Sequence, residues 1–272
     1  MTVWTGSSHD LPAYRLWFFP LVALAVPFLC WAGRGNRYHV RSVLVAWLIA
    51  LILPVGTGFV LNPVDEAVRV WPVVFSSLFA LLYLIGQRWW SEGPTVGQRP
   101  FQTVGALGVC GLAAMMSFGG AWEPVGFLQR DKPLGTIQES LLFATATGFP
   151  VAALAMWVRS WTRRAWDEVL VGGATLFAIV AWILAMQTTG TMGAVLLNVY
   201  LFVLGTGILA VGLQQRRLAT VNAGMAILAV MILCRFFDMD LSLVVRGVAF
   251  IVVGTGFLAV NWFLWKWRRA EG

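Results

Sequence analysis

Long apolar stretches separated by short polar links repeat along almost the whole chain. Nine runs stand out: Leu16–Ala32, Ser42–Leu61, Val70–Gly86, Thr103–Ala121, Leu141–Val158, Val169–Met186, Met192–Leu213, Val221–Cys234 and Leu241–Trp265. Each run is a continuous block, without the two-residue alternation of a half-buried strand or of a membrane β-barrel segment. About 20 apolar residues wound as a helix cross the hydrocarbon core of a bilayer. Helix is also the open structure in which a span satisfies its own backbone in lipid. The pattern predicts an all-α, polytopic transmembrane bundle of about nine helices over residues 16–265. Residues 1–15 are expected to form an extracytoplasmic segment and residues 266–272 a cytoplasmic basic tail. Pro20, Pro27, Pro54, Pro72 and Pro150 fall inside or near the starts of these runs, where membrane helices accept them as kinks.

Charge in the links sets the expected orientation. Alternate connections divide the basic residues thirteen to six: Arg34, Arg37, Arg41, Arg88, Arg99, Arg159, Arg163, Arg164, Arg216, Arg217, Lys266, Arg268 and Arg269 against Arg15, Arg69, Arg130, Lys132, Arg235 and Arg246. Cytoplasmic links carry the Lys/Arg excess in membrane proteins. The N-terminus is therefore expected outside and the C-terminus inside, which requires an odd number of spans. The first fifteen residues are polar and mixed, unlike the basic n-region of a cleavable signal peptide. Trp71, Trp89, Trp90, Trp122, Trp157, Trp161, Trp262, Trp265 and Trp267 sit at run ends, the depth that amphipathic rings prefer.

Composition sharpens the class. Of 272 residues, 59% are hydrophobic and 11% charged, where a soluble domain carries about 25% charged residues. The formal net charge of +7 is broken into clusters between apolar runs, so no continuous basic face is available for nucleic acid. Cys30, Cys110 and Cys234 lie singly in or at the ends of runs, which fits packing thiols better than a metal site. His9 and His39 fall on opposite sides of the expected membrane. No GxSxG, HExxH, P-loop or strand-to-helix GxGxxG is present, so no catalytic residue, metal or cofactor is assigned.

Candidate chemistry is confined to the run ends. No Asp, Glu, Lys, Arg or His lies in the middle third of any run, and such groups are costly in lipid and kept for function. The densest polar constellation is Arg235-Phe-Phe-Asp238-Met-Asp240 followed by Arg246-Gly247, with Asn198 and Tyr200 expected at a similar depth on the seventh helix. Arg235 and Asp238 are three apart, the spacing of an ion pair on one helix face. The tight connection should return Arg246 towards Asp238 or Asp240. Two readings follow from these six residues. Either they form an outward-facing pocket for an anionic headgroup or small acid, read by the arginines, or the arginines and aspartates neutralise each other and lock the hairpin. The longest external link, from Trp122 to Ser140, carries Glu123, Arg130, Asp131, Lys132 and Glu139 and reads as a solvated connection, a lid or a docking surface.

Leu204-Gly-Thr-Gly-Ile-Leu-Ala-Val211 echoes Val253-Gly-Thr-Gly-Phe-Leu-Ala-Val260, either a duplicated hairpin or a recurrence of small residues that let helices approach closely. The C-terminal stretch, through Arg235-Phe236-Phe237-Asp238-x-Asp240, Arg246-Gly247, Phe250, Gly254, Asn261 and the basic tail, resembles a group of uncharacterised bacterial polytopic membrane proteins. The resemblance implies a multi-pass protein of the bacterial cytoplasmic membrane and transfers no activity. Function is then expected to be that of a non-catalytic membrane subunit or scaffold, with membrane lipids, a membrane-protein partner or a second copy as partners. The alternative is a permease for a small neutral or anionic solute. A third reading is an outer-face enzyme acting on a lipid-linked substrate.

Overall fold

The computed structural model describes residues 18–33, 38–61, 67–93, 95–122, 136–188 and 190–238, together with scattered positions between Gly247 and Lys266 that are all helical. The described residues contain no strand. We number the helices α1 (Phe18–Gly33), α2 (Val40–Leu61), α3 (Ala67–Trp89), α4 (Pro100–Met115), α5 (Thr136–Thr162), α6 (Trp166–Gly172), α7 (Ala174–Gln187), α8 (Thr191–Gln214) and α9 (Leu218–Asp238). Six helical stretches are long and apolar enough to cross a membrane: Val40–Leu61, Arg69–Trp89, Ser140–Thr162, Trp166–Gln187, Thr191–Gln214 and Leu218–Arg235. Pro100–Met115 is shorter but also apolar. The chain is a multi-pass membrane protein.

Short links make successive helices antiparallel neighbours. Gly86 packs on Gln102 and Gly105 on Phe79 and Tyr83, so α3 and α4 run past each other in opposite senses. Gly205 meets Leu228, and Gly212 meets Val221, which fixes α8 against α9 in the same way. Between α8 and α9 the approach is closest at Gly224, where an added Cβ would lie 2.5 Å from the Leu209 amide nitrogen. That position admits no side chain, and close backbone approach over small residues is how membrane helices gain packing without a hydrophobic drive between them.

The main core is built where α3, α4, α7 and α8 meet. Ala80, Tyr83 and Leu84 of α3 face Val109, Leu112 and Ala113 of α4, Ala174, Ala181 and Ala185 of α7, and Leu197, Leu201 and Leu204 of α8. On α8 the buried set is Gly193, Ala194, Leu197, Tyr200, Leu201, Leu204, Gly205, Ile208, Val211 and Gly212, one stripe at three- and four-residue spacing. Val195, Val199, Phe202 and Val203 stand on the other side and are exposed. Apolar side chains thus cover the outer face as well as the inner one, as expected where lipid is the solvent, and Gly193, Ala194, Gly205 and Gly212 lie on the inner stripe, where helices approach. Burial falls from the centre outward: 61% of the α3 span is buried, against 22% for α2 and 17% each for α5 and α9.

Two sequence expectations change in detail. The run Thr103–Ala121 is not one helix. It ends at Met115, and a short 3₁₀ turn, Gly119–Trp122, folds back. The reason is local: Ser117 turns its hydroxyl onto Ala114 O at 2.6 Å, and Gly119-Gly120 follow, so helix gives way to a turn. Trp122, expected at headgroup level, is buried to 2% exposure, with its indole N–H on Met116 O at 2.7 Å. Trp90 is also buried, packed on Phe101 at 5.4 Å. Trp89, Trp161 and Trp262 remain exposed.

Candidate functional site

The chain's alternation gives the bundle two ends, each with a polar cluster. One end holds the C-termini of α4, α7 and α9 and the N-terminus of α8, with Trp122 among them. Here α4 stops at Met115 and leaves the carbonyls of its last turn without helical donors. Asn198, about two turns inside the start of α8, donates Nδ2 to Ser117 O at 3.1 Å and to Ala194 O at 2.6 Å. Arg235, in the last turn of α9, donates Nε to Asn198 Oδ1 at 2.9 Å and Nη2 to Ser117 O at 2.9 Å. Three helices are thus tied through one carbonyl. A guanidinium suits this task, because its fork reaches two acceptors at once, and its charge sits against a helix C-terminus, where cations are favoured.

Of the six residues singled out in the sequence, Arg235 and Asn198 come together in this junction. Tyr200 does not join them. Two positions on from Asn198, it lies roughly 200° further round the helix, and its hydroxyl donates to Leu170 O at 3.1 Å and Val171 O at 3.3 Å. Its ring stacks on Phe177 at 4.8 Å. Those carbonyls belong to the break between α6 and α7 at Gly173, where Trp157 Nε1 also donates to Val169 O at 2.8 Å. Asp238 closes α9, but its side chain, together with Asp240 and Arg246, lies outside the described residues. So do the link residues 123–135 and, in the second glycine echo, Val253, Phe257 and Val260.

The other end gathers the C-termini of α3, α5 and α8 and the N-termini of α4, α6 and α9. It carries a polar network that sequence reading missed. Gln87 Nε2 donates to Tyr83 Oη at 2.8 Å and to Asp167 Oδ2 at 2.8 Å, and Gln87 Oε1 accepts from Gln102 Nε2 at 2.9 Å. Ser160 Oγ donates to Glu168 Oε2 at 2.6 Å. These bonds join α3 to α4 and α6, and α5 to α6. Neutral amides at run ends look like ordinary link residues, and nothing in the spacing of Gln87, Gln102 and Asp167 marks them as partners. Arg41, Arg88, Arg99, Arg159, Arg163, Arg164, Arg216 and Arg217 all lie at this end, whereas Arg69 and Arg235 lie at the Trp122 end.

Elsewhere, side-chain hydroxyls bond to their own helices: Thr57 to Leu53 O, Ser77 to Val73 O, Thr145 to Leu141 O and Thr206 to Phe202 O, at 2.6–2.9 Å. Among the described residues, no group of His, Cys, Asp and Glu is arranged to hold a metal ion. Cys110 and Cys234 are half-buried free thiols. Comparison of the chain with protein-family models, curated proteins and solved structures finds no match.

Proposed function

We propose that the chain is a nine-helix protein of the bacterial cytoplasmic membrane, N-terminus outside and C-terminus inside, acting as a non-catalytic membrane subunit or scaffold. Its helical faces hold lipid, a membrane-protein partner or a second copy. The observation that carries this reading is the engagement of Arg235 with Asn198 and Ser117 O. A guanidinium that ties three helices is a structural lock rather than an open reader of a solute carboxylate. The hydroxyls of Thr57, Ser77 and Thr145 are likewise turned onto backbone carbonyls of their own helices. Support for the orientation comes from the crowding of arginines at the Trp161 end, which is the cytoplasmic end by the positive-inside rule.

The permease reading draws on the break at Gly173, because discontinuous helices expose carbonyls that coordinate substrates and ions in transporters. Here Tyr200 and Trp157 occupy the neighbouring carbonyls, which favours a static kink. Reconstitution separates the two roles. Proteoliposomes offered a panel of small neutral and anionic solutes should show no flux above empty vesicles, and native mass spectrometry should show an assembly larger than one chain. Flux that vanishes in Arg235→Leu would replace the scaffold with a permease. Reporter fusions at both termini test the orientation, which fails if the two ends label from the same face.

A further inference from the structure

At the Trp161 end, α3, α5 and α6 enclose a crevice of about 390 Å³ lined by Leu84, Ile85, Arg88, Trp89, Met156, Arg159, Ser160, Arg163 and Glu168. Its lining has two zones. Leu84, Ile85 and Met156 lie one to two turns inside the helix ends. Arg88, Arg159 and Arg163 lie at or just beyond those ends and are exposed. We propose that this crevice binds an anionic phospholipid, with Arg88, Arg159 and Arg163 on the headgroup phosphate and an acyl chain along Leu84, Ile85 and Met156.

A bland account would place each arginine where it is for topology and for the dipole of a helix C-terminus. That account explains an arginine at each end. It does not explain three of them, from two helices and a turn, converging on one apolar-floored cavity. None of the three guanidiniums makes a hydrogen bond or ion pair with another described residue; the one such side-chain bond to these arginines is to the Arg159 carbonyl, from Thr162 Oγ1 at 2.7 Å. They face one carboxylate, Glu168, which already accepts the Ser160 hydroxyl at 2.6 Å. Three guanidiniums to one carboxylate leave an excess of positive charge suited to a phosphodiester, the group that arginine forks match best.

Depth supports the same occupant. Trp161 lies 5.7 Å from Trp157 and 5.9 Å from Trp166, edge to face, and Trp89, Trp161 and Trp166 are each about half exposed. A belt of half-exposed tryptophans marks the headgroup level, so the arginines stand where lipid phosphates stand. Basic pockets between membrane helices on the cytoplasmic side bind anionic headgroups. The apolar floor distinguishes a lipid from a free phosphate, which has no use for it. The inference rests on the bundle lying in a bilayer with this end cytoplasmic, as proposed above, and it stands whichever role the bundle serves.

The experiment is lipid retention by the full chain, purified in mild detergent, exchanged into nanodiscs of mixed phosphatidylglycerol and phosphatidylcholine, and read by native mass spectrometry. Wild type should keep phosphatidylglycerol preferentially. The triple variant Arg88→Gln, Arg159→Gln, Arg163→Gln should lose about tenfold or more of that preference. Arg216→Gln with Arg217→Gln, at the same end but outside the crevice, should keep it. The triple lysine variant holds the link charge, so it guards against an inverted or unfolded bundle. It should retain more lipid than the glutamine variant and less than wild type. Equal retention by wild type and the glutamine variant would overturn the proposal. So would thermal stabilisation by inorganic phosphate alone with no preference between the two lipids, because the occupant would then be the free anion.

Discussion

The two ends of the bundle spend their cations differently. At the Trp122 end, Arg235 is drawn in between helices and bonded to Asn198 and to Ser117 O. At the Trp161 end, Arg88, Arg159 and Arg163 stand exposed round a crevice, and the helices there are tied by neutral groups, Gln87 and Gln102, with Asp167 as acceptor. The residue type is the same and the physics is not. A guanidinium tied between helices must be fully bonded to be tolerated, whereas one at the headgroup level keeps water or a lipid phosphate as its partner. The first kind of arginine belongs to folding and the second to what the fold meets.

Removing the tied cation should therefore have the largest effect. Arg235→Leu deletes two charge-assisted bonds, takes the guanidinium donor from Asn198 Oδ1 and leaves Ser117 O with Asn198 Nδ2 as its side-chain donor. Bonds to charged groups are worth about 1.5–3 kcal/mol in soluble proteins, but polar bonds between membrane helices average nearer 0.6 kcal/mol. We expect a loss of about 2 kcal/mol, read as reversible unfolding in mixed micelles. A double-mutant cycle with Asn198→Ala sharpens the point: the two losses should fall well short of adding, because both act on the same carbonyl. Full additivity would show that Arg235 and Asn198 stabilise the bundle independently.

At the opposite end the corresponding tie is an amide. Gln87→Leu removes the bridge from α3 to α4 and α6 in one step. Asp167 is half-buried in the first turn of α6 and regains water, while the buried Gln102 loses a partner, so the penalty should be about 1 kcal/mol, at the low end for an unpaired buried polar group. Hydrogen exchange of α6 should rise with it. A loss as large as that of Arg235→Leu would erase the contrast between the ends.

How much of this was legible beforehand divides along the same line. The apolar runs mark where helices lie because run length and backbone satisfaction in lipid leave helix as the answer. Arg235 and Asn198 drew attention because polar residues at the edge of a greasy run are conspicuous. Tyr200, equally conspicuous, turned to the break at Gly173, since helix geometry sends positions 198 and 200 to opposite faces. Trp122 folded inward, because a ring with an apolar body and one N–H serves as well inside, on Met116 O, as at the headgroups. Convergence escaped the sequence. Arg88 and Arg163 are separated by the whole of α4 and α5, and in the chain they register only as topological charge.

A smaller effect of opposite sign concerns the turn beside the crevice. Arg164 has φ 54° and closes α5 by donating its N–H to Trp161 O, while Ala165 donates to Ser160 O. Arg216 holds the same left-handed geometry at the end of α8, with φ 53°. Glycine is the usual residue at such a cap, so two arginines there accept backbone strain for charge at this end. Arg164→Gly should relieve the strain and gain up to about 1 kcal/mol, less whatever the freer unfolded chain takes back. Destabilisation on thermal melting would mean that the Arg164 side chain holds the turn by contacts of its own.

The smallest effect is the most diagnostic of the contrast. The guanidiniums of Arg88, Arg159 and Arg163 bond to no other described residue, and the Arg159 carbonyl that accepts the Thr162 hydroxyl is kept by glutamine, so replacing all three removes no side-chain hydrogen bond. Unfolding free energy in lipid-free neutral detergent should stay within about 0.5 kcal/mol of wild type, the range of ordinary surface substitutions. Added phosphatidylglycerol should then stabilise wild type and not the variant, since a ligand that binds only the native state adds stability through its occupancy. A variant that melts early without lipid would make these arginines folding residues like Arg235, and the two ends would no longer differ in kind. Equal melting without lipid and divergence with it would separate a cation that builds the bundle from cations that read what surrounds it.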